Sequence, residues 1–175
     1  MGIGWGILAR LLKVLALVVA ATAFVRPALG ATQTANSQAT IVTPLSLVNT
    51  DALRFGAVIP SAAIGTVTVD PFTEARTVTG GVTAYGGTVT AAKFSGLSTT
   101  LSHLKIDVPN GAITITRVGG GATMLVDNFA INGNKNDWVT GTSVFTFNVG
   151  GRLNVAANQM AGTYTGTFTV TVNYR

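Results

Sequence analysis

The chain has 175 residues, with eleven Lys and Arg against six Asp and Glu, one His and no Cys. The absence of cysteine excludes disulfides, thiol nucleophiles and Cys-based metal sites. The basic residues outside the first 30 stand one at a time, so no clustered cation stripe is available to neutralise nucleic-acid phosphates.

The N-terminus carries Arg10 and Lys13 and no acid, followed by an apolar run over residues 14–25 and then Pro27-Ala28-Leu29-Gly30-Ala31. Basic, apolar and small-residue regions in that order are the layout of a secretory signal. About a dozen apolar residues are too few to cross a hydrocarbon core of about 30 Å, which argues against the competing reading of an uncleaved membrane anchor. Residues 1–30 are therefore expected to be a signal peptide cleaved after Gly30; the same pattern also admits cleavage after Ala23 or Ala31. Arg10, Lys13 and Arg26 leave with it, so eight cations face six acids and the remaining net charge is +2. Residues 31–175 suffice for one domain with its own core.

That remainder is rich in Gly, Thr and Val and reads as strands. Ala39, Ile41, Leu45 and Leu47 share one parity, and Leu53 and Phe55 continue it. Pro44 cannot donate to a ladder and marks an edge or a bulge. Residues 65–69 alternate up to a turn at Asp70-Pro71. Residues 104–108 and 112–116 alternate on either side of Asn110-Gly111, which predicts a hairpin. Residues 124–131 lead into Asn132-Gly133 and a polar loop to Asp137. Residues 143–149 run into Gly150-Gly151. Over residues 162–175, Tyr164, Phe168, Val170, Val172 and Tyr174 alternate with Thr and Asn, which predicts one long strand with a buried face. The glycine clusters at 80–81, 86–87, 119–121 and 150–151 read as turns, since none precedes a helix or carries a phosphate-loop Lys-Ser/Thr. No helical pattern appears after the leader. The expected fold class is all-β, an antiparallel sandwich or barrel.

Groups that carry chemistry are sparse. His103 could face Asp107, but no Gly-x-Ser-x-Gly elbow accompanies them, and a lone His beside a strand reads as a surface residue. The acids sit mostly at turns, and Glu74 is the only Glu. The loop 132–137 offers one carboxylate, too few for a calcium site. Phe72, Tyr85 and Trp138 read as core or strand-end plugs, against the alternative of ligand-stacking residues in a carbohydrate-binding module. The chain is expected to be no enzyme and to use no cofactor or metal.

The stretches Gly150-Gly151-Arg152-Leu153-Asn154-Val155 and Gly162-Thr163-Tyr164-Thr165-Gly166-Thr167-Phe168 onward to Tyr174 resemble the bacterial exported family called domain of unknown function 4402. Ala39-Thr40-Ile41-Val42-Thr43-Pro44-Leu45, Leu53-Arg54-Phe55-Gly56 and Phe94-Ser95-Gly96 match its beginning and middle. Gly-x-Tyr before alternating Thr and Val is also similar to spore-coat-U and archaic chaperone–usher pilin subunits, although the cysteine pair usual in those subunits is missing here. The resemblance implies an immunoglobulin-like sandwich that lacks its last strand, filled by a neighbour's N-terminal segment through strand addition. It makes residues 31–47 a candidate donor strand, with Ala39, Ile41, Leu45 and Leu47 as its side chains and Tyr164, Phe168, Val170, Val172 and Tyr174 as the core face beside it. The chain also stops one residue after that alternation, with no tail. The segment 39–47 can equally pair within its own domain, and the residues leave both readings open. The implied partners are copies of itself or related subunits, a periplasmic chaperone and an outer-membrane usher, with transit through the periplasm to the cell surface. No nucleic acid and no stable membrane span are implied. A monomeric binding module using the loop 132–138 is the competing class, and a hydrolase built on His103 is the third.

Overall fold

The computed structural model describes residues 45–98, 101–136, 138–141 and 144–175. The expected leader and its cleavage site, and with them Ala39, Ile41 and Pro44, lie outside the described residues. Eleven strands follow in chain order among the described residues: β1 (Ser46–Asp51), β2 (Arg54–Val69), β3 (Arg76–Thr90), β4 (Ala92–Leu97), β5 (Ser102–Asp107), β6 (Ile113–Arg117), β7 (Thr123–Ile131), β8 (Trp138–Thr140), β9 (Val144–Val155), β10 (Tyr164–Thr165) and β11 (Thr171–Tyr174). No helix occurs there, as the patterning requires.

All pairs are antiparallel. One sheet runs β1-β4-β9-β7-β6-β10, with β2 also against β9 and β3 against β2; the other runs β11-β5-β8. The core is the inward parity of each strand. In β9 every odd residue from Phe145 to Val155 is buried, and it meets Leu104 and Ile106 of β5, both fully buried. Phe147 lies at the centre, with ring centroids 5.3 Å from Phe94 and 5.9 Å from Trp138.

Strand β9 organises the larger sheet. Residues 144–149 pair with β4 and residues 151–155 with β2 along one edge, while β7 takes the other. The partner changes at Gly150, where a Cβ would collide with the Val69 carbonyl and lie 2.8 Å from the Pro71 ring. Gly150-Gly151 is thus a seam inside a strand, not the expected turn: only a bare backbone fits where two neighbours meet.

Strand β3 also departs from expectation, since its glycine pairs are not turns between strands. Gly80, Gly81, Gly86 and Gly87 lie within it, at the register shifts of a long β2–β3 ribbon. Positive φ at Gly80 (70°) and Gly86 (123°) lets the ribbon bulge there. Only residues 65–69 of β2 pair with a third strand, so the rest is two-stranded. The ribbon bends back on its own base, where Arg76 Nη1 donates to the carbonyls of Phe55 (3.1 Å), Ala57 (3.1 Å) and Gly86 (3.0 Å).

Asn110-Gly111 is not a hairpin turn. Strands β5 and β6 belong to different sheets, and neither residue has the positive φ of a type I′ turn. The connection crosses from one sheet to the other. Gly119, Gly120 and Gly121 do form a turn, all at positive φ between β6 and β7.

In sequence and sheet order, β1, β4, β9 and β7 correspond to strands A, B, E and D of an immunoglobulin-like sandwich, with β5 and β11 as C and F. The ribbon, β6, β8 and β10 are additions. Among the described residues no strand occupies the seventh position, beyond β11.

Candidate strand-acceptor edge

The C-terminal alternation is split between the two sheets. Tyr164 and Thr165 pair with Arg117 and Thr116 in β6, whereas Thr171 to Tyr174 pair with Asp107 to Leu104 in β5. The expected single strand over 162–175 is therefore two short ones. Between them, residues 166–170 pass from one sheet to the other with Phe168 and Val170 turned inward, and form no ladder with any described strand. Gly166 still lies against β6, where a Cβ would sit 2.7 Å from Ile115 Cγ2.

The crossing is held by its apolar side chains. Phe168 reaches Phe129 with centroids 5.0 Å apart and Phe94 at 6.4 Å in an edge-on arrangement. Phe168, Val170, Val172 and Tyr174 all pack on the core cluster and remain only partly buried. Core-facing side chains that stop half-buried mark a sandwich open along one side. Tyr164 faces elsewhere: its hydroxyl donates to the Met160 carbonyl (2.6 Å) and accepts from Gln159 Nε2 (2.7 Å), pinning the chain's entry to β10.

Of the expected donor residues, Leu45 and Leu47 are placed on the chain's own core as partly buried side chains. Leu47 lies in β1 opposite Gly96 of β4. A segment free to leave the domain therefore ends before Leu45, short of the expected boundary at 47. The chain enters β1 at the pole of the sandwich where β11 ends. Ser46 pairs with Leu97, the connection from Leu97 to Ser102 can span no more than about 18 Å, and Arg175 N donates to the His103 carbonyl at 2.9 Å.

The remaining sequence candidates separate. His103 is exposed on β5, and a spacing of four strand residues puts Asp107 about 13 Å along the chain; Asp107 is bonded to Lys105 instead, at 2.8 Å. Trp138 packs on Phe147 and against Gly133, so the loop 132–138 spends its aromatic on the core. Phe72 and Tyr85 are 68% and 74% exposed, contrary to their expected role as plugs. Each sits on the ribbon or its turn, outside the sandwich proper. On the outer face, a shallow cleft of about 480 Å³ is bordered by Ile64, Leu125, Val155 and Gln159; nothing in composition or spacing signalled it, because its walls come from four separate segments.

Bidentate bonding from Arg152 (2.8 and 3.1 Å) holds the Asp127 carboxyl below the usual carboxylate range. The Thr73 and Phe72 amides do the same for Asp70, and Arg54 for Asp51.

The family model described as Domain of unknown function (DUF4402) matches residues 45–174, spanning every strand just described. The chain belongs to the DUF4402 family. No curated protein and no solved structure matches it significantly. Within this DUF4402 domain the match begins at Leu45, one residue before β1, and ends at the last residue of β11.

Proposed function

We propose that the protein is an exported structural subunit that shares strands with copies of itself or related subunits at the cell surface, as a pilus or fimbria does. The observation that supports this most is the vacant seventh position beside β11, where residues 166–170 present half-buried apolar side chains and no ladder partner among the described residues. An extended segment added there would gain backbone bonds along its length and seat alternate side chains on the open core. Ala39 and Ile41, with the right parity and immediately upstream of β1, are the donor side chains of that segment. Donation from each copy to the next is head-to-tail and does not close, so it yields a filament. Until it is filled, such an edge invites mispairing, which is the physical need for a periplasmic chaperone and an outer-membrane usher as partners. The protein is no enzyme on this reading.

The test is the full chain recovered after export and run with and without boiling. A heat-sensitive ladder, lost in Ile41→Asp while the variant stays folded by circular dichroism, is the expected result. A single monomer band under both conditions overturns strand sharing. That outcome favours the second reading, a monomeric binding module, for which the cleft beside Leu125 and the exposed Tyr85 are the candidate surfaces.

A further inference from the structure

The chain has two Asn-Gly pairs among its described residues, and the fold treats them oppositely. Asn132 is clamped: its amide donates to the Asn148 carbonyl at 3.2 Å and its Oδ1 accepts from the Asn148 amide at 2.8 Å. Gly133 beside it is pressed under the Trp138 ring. Asn110 and Gly111 are both exposed, and no hydrogen bond holds either the Asn110 side chain or the Gly111 amide. A Cβ at Gly111 would meet nothing within 4 Å, so no other part of the fold crowds the glycine on that side. Because β5 and β6 lie in different sheets, no ladder fixes the backbone at this point.

From this contrast we infer that Asn110 is a site of spontaneous covalent modification, through a cyclic imide formed with Gly111, and that Asn132 is protected by the fold. The Gly111 nitrogen gives its proton to water or hydroxide and attacks Asn110 Cγ. The N–Cγ bond forms, the Cγ–Nδ2 bond breaks, and the side-chain nitrogen leaves as ammonia after taking up a proton. Water then opens the ring. Attack at the side-chain carbonyl gives aspartate; attack at the backbone carbonyl gives isoaspartate, in which the main chain runs through the side-chain carbon. The balance is one water consumed and one ammonia released, with no change of oxidation state. A neutral amide becomes a carboxylate on the crossover between the two sheets, and the isoaspartate form adds a methylene to its path.

The test holds the folded full-length protein at mildly alkaline pH and follows both sites by peptide mass mapping, with enzymatic isoaspartyl methylation to count the rearranged product. Product at Asn110 is expected to accumulate about tenfold or more faster than at Asn132, the factor set by first breaking the two bonds to Asn148. In concentrated urea the two rates converge, because the sequences share the same Asn-Gly chemistry. Gly111→Ala slows reaction at residue 110 alone. Equal rates in the folded protein, or an unmodified Asn110 there while the urea sample reacts, overturns the inference.

Discussion

A methyl group added at Gly150 would press against the Val69 carbonyl, whereas one added at Gly111 meets nothing within 4 Å. Gly150→Ala is therefore expected to destabilise by about 1–3 kcal/mol through overpacking at the seam. Gly111→Ala is expected to stay within about 0.5 kcal/mol; urea unfolding of the two variants measures both. Asp127 offers a different single-residue test. Its folded pKa is depressed by Arg152, so its contribution is present above the unfolded value of about 3.9 and is lost as pH falls through the folded one. The pair is partly exposed, so Asp127→Asn is expected to cost only about 0.2–1 kcal/mol at neutral pH. Denaturant midpoints compared at neutral and acid pH should show the deficit vanishing below the folded pKa. At this scale the sequence was legible where burial decides: Phe147, Leu104 and Val172 face inward as their parity requires. Gly150 was not legible, because its constraint is a carbonyl eighty-one positions away in the chain.

Strand existence could be read from period-two alternation, but strand partnership could not. The alternation runs from Tyr164 to Tyr174, yet the core takes only Phe168, Val170, Val172 and Tyr174, while the backbone changes sheets beneath it. Parity reports where side chains point and is silent on which backbone bonds they accompany. The same limit explains Asn110-Gly111, a strong local turn signal overridden by the need to send β5 and β6 to opposite sheets. Strand β3 has no period-two signal because its core-facing residues, Val78 and Val82, are separated by Gly80 and Gly81, and its outer half is exposed. Its bend depends on Arg76, whose one nitrogen serves three carbonyls. Arg76→Met keeps the aliphatic stem and removes those donors. Faster amide hydrogen exchange is expected over residues 55–60 and 82–87, with little change in β5 or β9; exchange mass spectrometry reads this directly.

For the molecule as a whole, the perturbed groups bound a stability plateau. Asp51, Asp70 and Asp127 are depressed, so the unfolded chain binds more protons below about pH 4 and stability falls there. Lys93 is raised by Glu74, so its contribution is complete below about 10.4 and is lost as pH rises through the folded value. A flat melting temperature from about pH 5 to 10, with losses at both ends, is the expected profile by scanning calorimetry. If the seventh position is the acceptor, appending a second copy of residues 36–44 after Arg175 through a flexible linker should raise the melting temperature and abolish multimers. An unchanged melting temperature would count against that groove.

The entry of the chain into β1 has a mechanical consequence. Ser46 begins its ladder at the pole of the sandwich and runs inward beside β4 to Asp51. Tension applied to Leu45 along the strand axis is directed away from that pole, so it strains the β1–β4 hydrogen bonds together, in shear, rather than opening them one after another like a zip. A domain tugged from this end resists until the whole strand slides at once.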